Sequence, residues 1–387
     1  MLSGNIFDYI DWRGDLTFEQ SPVNEVDGLI LSLISYVDFS DIVPEGMQEE
    51  ISIYDAAEKY FEIRDIEKEK QNLSMMRNAP DIIRKLAGSE RYKNLKLANY
   101  AERLNSEIQE QFAAVSIILD KKTIFISYRG TDDNIVGWKE DFNMSFLESI
   151  PAQKDALKYL EALAEVWHGK IYLGGHSKGG NLAVYAAVNS KAMVKRRIIR
   201  IYNNDGPGFS EKVINSQRFK SVSDRIHTVV PHSSVVGMLF NHNDNFNVVC
   251  SSEAAPFQHD ATTWKITGTM FERMDGLSDL GIIIDKTVSG WLDSLDDATR
   301  MNTVEMMFKV LEKAGVNTLK DLPGKKNMKN LHALLKSYNS LNSDAKKELA
   351  KVIKELIKTT KEVTRQTLMP NLPRLRAAQE NQNQSVQ

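Results

Sequence analysis

One pentapeptide limits what this chain can become more than any other feature: Gly175-His176-Ser177-Lys178-Gly179, inside KIYLGGHSKGGNLAVYAA at residues 170–187. A serine with glycines two residues before and two after suits a tight strand-to-helix turn. The backbone there is strained, the hydroxyl stands above the sheet, and side chains at the two glycine positions would collide. The surroundings fit. Ile171-Tyr172-Leu173 is a short β run ahead of the serine, and Gly180-Asn181-Leu182-Ala183-Val184 opens a small-residue helix behind it. The bland alternative is a glycine-rich turn around an inert serine.

Such an elbow belongs at the end of a strand in a sheet covered by helices, and the flanking sequence has that texture. From residue 111 to 268, β-rich runs alternate with helical ones. AAVSIIL (113–119) and TIFISY (123–128) are separated by Asp120-Lys121-Lys122, which reads as a hairpin. KIYL (170–173), IIRIY (198–202), RIHTVV (225–230) and NVVC (247–250) follow, with helical patterns at 153–167 and 180–192. Strand–helix alternation predicts an α/β fold with a mostly parallel sheet flanked by helices. Residues 1–110 read as mostly helical and packed on that core: 28–39 as a buried helix, 54–65 and 95–108 as amphipathic helices, and Ala79-Pro80-Asp81 as a helix start. Residues 269–370 read as a helical region. Asn302 and Glu305 resemble a capping pair there, and Ser343 opens a helix with Leu349, Val352, Ile353 and Leu356 on one face and lysines on the other. Residues 371–387, rich in Gln and Asn, read as a disordered tail.

Composition removes whole classes of function. The 387 residues carry a net charge of −3, with 42% hydrophobic and 26% charged residues. That excludes a strongly basic nucleic-acid binder. The single cysteine, Cys250, excludes a disulfide framework and a multi-cysteine zinc site. Neither HExxH nor a calcium or phosphate loop is present, so no metal and no cofactor is expected. No apolar run is long enough to span a membrane. Asp8, Asp11 and Asp15 near the start are unlike a secretory leader, so the expected location is cytoplasmic.

An activated serine needs donors for an oxyanion, a base and an acid. One donor is the backbone N–H after the serine, at Lys178. A second must come from a loop after an earlier strand, and Thr131, following TIFISYRG, is well placed to give its N–H and its hydroxyl. In these folds the acid and then the histidine follow the serine in the chain. His232, His242 and His259 qualify, and His259 lies after the last β run, where the fold presents its histidine. For the acid, Asp205 in NNDGPGF follows the strand IIRIY, and Asp224 and Asp260 are the alternatives. His176 reads as packing beside the sheet.

Here the chain resembles known families. IFISYRGTDDNIVGWKEDFNM is similar to the signature of class 3, fungal-type lipases, and GGHSKGGNLA to their elbow. The whole layout, GHSKGGNLA then NNDGPGF then QHD, more closely resembles an uncharacterised bacterial α/β-hydrolase-like domain family. The resemblance implies Ser177 as nucleophile, Thr131 and Lys178 as oxyanion donors, and Trp138 and Asp141 as structural residues of the loop. It also agrees with His259. Two departures stand out. The Thr131-to-Trp138 spacing is slightly longer than in the fungal enzymes, whose corresponding loop is a lid (132–150 here). The class 3 position for the acid is occupied by His232-Ser233-Ser234; the Asp205 turn is instead similar to the acid-bearing turn of pancreatic-type lipases.

The resulting expectation is a serine hydrolase of esterase or lipase type, acting on a small-molecule ester or lipid through Ser177, His259 and Asp205. A thioesterase or lysophospholipase on the same machinery is one alternative; a catalytically silent binding or scaffold protein is the other. The lysine face of the C-terminal helix reads first as solvated, with peripheral membrane contact as the alternative.

Overall fold

Strand pairing runs in chain order across one eight-stranded sheet: β1 (Ile51–Ser52), β2 (Lys96–Asn105), β3 (Glu110–Asp120), β4 (Thr123–Tyr128), β5 (Lys170–His176), β6 (Ile198–Asn204), β7 (Ile226–Pro231) and β8 (Phe246–Val249). The first four pair antiparallel; from β4 onward every pairing is parallel. The computed structural model describes residues 3–68, 76–132, 135–144, 146–240, 246–255, 257–316 and 328–368. His242 and the tail at 371–387 lie outside them.

Helices cover both faces. Numbered along the chain, the longer ones are α1 (Ile6–Arg13), α2 (Glu25–Leu33), α3 (Ile53–Ile63), α4 (Ala79–Ala87), α5 (Ile135–Asn143), α6 (Pro151–Val166), α7 (Lys178–Asn189), α8 (Asp279–Asp293), α9 (Asp297–Lys313), α10 (Met328–Asn339) and α11 (Ser343–Leu368). Alternation along the strands divides the core between the two faces. Phe125 and Tyr202 join Leu29 of α2 on one face. Ile124, Ile126 and Leu173 join Leu160 of α6 and Leu182 of α7 on the other. This is the α/β-hydrolase fold.

The register sets the site. Tyr128 pairs with Gly175, His176 with Asn204, and Asn204 with Val229. The C-terminal ends of β4 to β7 therefore finish in one row. The residues just beyond β5 and β6 are Ser177 and Asp205. Ligands of parallel α/β sheets bind beyond that edge.

Two local expectations change. Residues 95–108 were expected to form a helix, yet 96–105 are strand β2, so the sheet's first two strands lie ahead of residue 111. Asn105 explains the turn that follows: its side-chain oxygen accepts from the N–H groups of Glu107 and Ile108 at 3.0 and 3.3 Å. That starts a tight turn into β3, and cross-strand pairing overrides the helical charge pattern. The Asn302–Glu305 pair does not start a helix. Asp296 caps α9 six residues earlier, its carboxylate accepting from the Thr299 N–H at 2.7 Å. The 113–119 and 123–128 runs do form the expected hairpin.

The N-terminal elements are tied to one another by a buried ion pair that the sequence does not announce. Arg91 donates to both carboxylate oxygens of Asp27 in α2, at 2.9 and 2.6 Å, and both side chains are fully buried. Tyr92 and Tyr9 hydroxyls donate to the same carboxylate at 2.7 and 3.0 Å. Removing one partner strands the other charge in the interior. Asp27→Ala is therefore expected to lower unfolding free energy by about 3–5 kcal/mol, read as a lower midpoint in urea; a midpoint within error of wild type would contradict this.

Candidate active site

At the end of β5 the chain turns sharply into α7. Ser177 makes that turn with φ 58° and ψ −135°, a left-handed conformation that costs a non-glycine residue. Backbone crowds it on both sides. A Cβ on Gly175 would lie 2.1 Å from the Gly179 carbonyl carbon, and one on Gly179 would lie 2.1 Å from the Tyr128 carbonyl oxygen. Backbone cannot yield as a flexible side chain would, so both positions require glycine.

Asp205 ends β6 in the same manner, with φ 52° and its N–H donating to the Val229 carbonyl at 2.8 Å. Its carboxylate is fully buried. One oxygen accepts from the Ser234 hydroxyl at 2.5 Å. The other meets His259 Nδ1 at 2.7 Å. His259 Nε2 in turn lies 3.0 Å from Ser177 Oγ. Serine, histidine and aspartate thus form one hydrogen-bonded line. An ionised carboxylate only accepts, so Nδ1 carries the proton and Nε2 faces the serine hydroxyl as acceptor.

His176, the residue before the serine, supports this line. Its Nε2 lies 2.8 Å from the His259 backbone carbonyl, which can only accept. Nε2 therefore carries the proton, and Nδ1 accepts from the Tyr36 hydroxyl at 3.1 Å. Burial, with His259 beside it, holds the His176 pKa well below the ordinary histidine value, so the ring stays neutral. It fixes the backbone of the loop that carries His259.

The remaining sequence candidates separate clearly. Asp224 is mostly exposed and pairs with Arg225. Asp260 caps a short turn, accepting from the Thr262 N–H and hydroxyl at 3.0 and 2.7 Å. His232 contacts Gln258, which bridges it to the Glu253 carbonyl. Neither Asp224 nor Asp260 is bonded to the His259 ring. Among the described residues, no group of three or more His, Cys, Asp or Glu side chains could hold a metal ion.

Thr131 lies in the loop after β4, buried beside the serine. Its hydroxyl donates to Asp141 at 2.5 Å. The hydroxyl proton is committed there, so what Thr131 can offer an oxyanion narrows to its backbone N–H. Lys178 is the first residue of α7, where backbone N–H groups lack intrahelical acceptors. Its side chain does something the sequence does not suggest. The ammonium is fully buried, 2.9 Å from Glu140 and 3.7 Å from Asp141 of α5. Burial disfavours its charge, but Glu140 and Asp141 outweigh that and raise its pKa. Glu140 also accepts the N–H groups of Gln111 and Ala152 at 3.1 and 2.9 Å. These bonds anchor α5 beneath the site.

A cavity of about 110 Å³ opens onto Ser177 and His259. Its roof comes from the C-terminal helices: Val288, Trp291 and Leu292 of α8, and Val304 and Met307 of α9. Trp138 and Phe142 of α5 line one wall and Leu239 and Phe240 another. The 132–150 stretch thus supplies a wall through α5, and the helices after residue 270 supply the cover. Their local pattern says only that they are amphipathic, so nothing in the sequence marked them as part of the site.

The family model described as Mbeg1-like matches residues 86–309, more than half of the chain. The chain belongs to the Mbeg1-like family. The matched stretch runs from the end of α4, through the sheet from β2 onward, and into the roofing helix α9. No curated protein matches the chain. Among solved structures, one titled as a crystal structure of M37 lipase is similar at 15% identity, covering 57% of this chain and 71% of that one, with a TM-score of 0.37.

Burial pushes the Asp141 carboxyl up to about 6, against the pull of Lys178 and Thr131. A carboxyl whose pKa is raised on folding binds more protons in the native state. Its contribution to stability is full below the unfolded value near 3.8 and is lost as pH rises through about 6. Wild type should lose stability relative to Asp141→Asn between those limits, with the difference flat above neutrality. Urea unfolding of both proteins across this range is the measurement; parallel curves would contradict the assignment.

Proposed function

We propose that this Mbeg1-like protein is a serine hydrolase of the esterase or lipase type, acting on carboxylic esters with an apolar acyl group. The carrying observation is the continuous line from Asp205 through His259 to Ser177 at 2.7 and 3.0 Å, opening onto an apolar cavity. Ser177 Oγ attacks the ester carbonyl carbon while His259 Nε2 takes its proton. Asp205 holds the imidazole in the required tautomer and stabilises the imidazolium. The backbone N–H groups of Thr131 and Lys178 receive the tetrahedral oxyanion. Collapse breaks the bond to the alkoxide leaving group, which takes the proton from His259. Water, deprotonated by the same ring, then releases the acid and restores the serine.

The cavity argues for the acyl side. Its lining is mostly aliphatic and aromatic, so each methylene placed there gains about 0.8 kcal/mol. For p-nitrophenyl esters, kcat/KM should rise about fourfold per added methylene from acetate until the cavity is full. Ser177→Ala should abolish turnover, and Asp205→Asn should lower kcat by about 10⁴ with the fold intact. A chain-length series with these two variants is the experiment. Equal turnover by wild type and Ser177→Ala would overturn the reading.

A further inference from the structure

Helix α11 faces two ways. Its inner face, with Leu349, Val352 and Val363 buried, lies along α8, and the Val352 carbonyl accepts from the Trp291 indole N–H at 3.3 Å. Its outer face carries an ordered pattern of charge. Lys347, Lys354 and Lys361 recur at heptad intervals, and Lys351 and Lys358 fall between them. At 100° per residue all five lie within a quarter turn, forming a stripe about 21 Å long at 1.5 Å per residue. The acids of the same helix do not interrupt it: Glu348, Glu355 and Glu362 form a separate row on the flank nearer the core. All five lysines are exposed. Two ion pairs involve the stripe, Lys347–Asp344 at 3.9 Å and Lys358–Glu355 at 3.7 Å, and both are loose surface contacts.

The opposite flank of the stripe is apolar and also exposed. Ile353 and Ile357, one turn apart, are 47% and 50% accessible. What sets these two apart from other exposed apolar side chains is their place, side by side along the edge of the lysine stripe. A row of ammonium groups beside solvent-facing aliphatics matches the layered chemistry of an anionic bilayer surface, with phosphates and carboxylates outside and acyl chains just beneath. A single-stranded nucleic acid would instead call for stacking aromatics among the cations, and residues 347–365 contain none. The chain as a whole is acidic, with net charge −3, so its overall charge does not draw it to such a surface; the local charge of this stripe does.

We propose that the outer face of α11 docks the protein on anionic lipid membranes, with the lysine stripe at the headgroups and Ile353 and Ile357 at the acyl boundary. The inference stands on α11 alone and does not need the hydrolase reading. The test is co-sedimentation of the full-length protein with phosphatidylcholine vesicles, with and without about 30 mol% phosphatidylserine. Wild type should bind the anionic vesicles, more weakly at higher salt, and leave the neutral ones. Lys351→Gln/Lys354→Gln/Lys358→Gln should reduce partitioning by about a hundredfold, and Ile353→Ser/Ile357→Ser should weaken it while leaving its salt dependence. Circular dichroism checks folding. If the triple variant is unfolded, Lys347→Gln/Lys361→Gln takes its place, with a smaller loss expected. No binding of wild type to anionic vesicles, binding unchanged by the lysine variants, or binding to single-stranded RNA in preference to vesicles would each overturn the proposal.

Discussion

Everything at the site depends on one backbone constraint: Ser177 held at positive φ between two glycines that touch neighbouring backbone. That turn can exist only where a parallel strand hands over to a helix with no room for a Cβ. It places the hydroxyl beyond the C-terminal edge of the sheet and starts α7 directly behind it. Asp205 repeats the device at the end of the next strand, also at positive φ. Because β5 and β6 are in parallel register, the two strained residues project from the same edge. His259 needs only to arrive from a loop and meet both. The strain is held in place by the surrounding packing, and it pre-sets distances that a flexible loop would not hold.

Around that line three buried polar contacts give support. His176, neutral and capped by Tyr36, fixes the His259 backbone. Ser234 satisfies the second oxygen of Asp205. Lys178 joins the elbow helix to α5 through Glu140. Such groups are costly when left unpaired and stiffening when satisfied. The apolar side chains of α8 and α9 line the cavity in front of Ser177 and His259.

What the sequence shows and hides follows the range of each interaction. Ser177 is legible because the glycine requirement is local, five residues long. Asp205 and His259 are legible because strand order assigns them places, and the structure brings them within hydrogen-bond reach of each other and of the serine. Strand β2 was misread as a helix because its charges are spaced like a helical face; only pairing with β3 makes it a strand. The Lys178–Glu140 pair crosses 38 residues and the Asp27–Arg91 pair 64, with no periodic pattern to join them. The roof is hidden for the same reason: amphipathic helices announce that they pack, not what they cover.

The proposed function rests on activation of Ser177 by the line through His259 and Asp205. Its most direct test is reaction of the folded protein with a fluorophosphonate, followed by mass spectrometry of the digested adduct. Stoichiometric phosphonylation is expected on the peptide carrying Ser177, at a rate that collapses in His259→Ala. A folded protein that stays unlabelled, or is labelled at the same rate without His259, would contradict it.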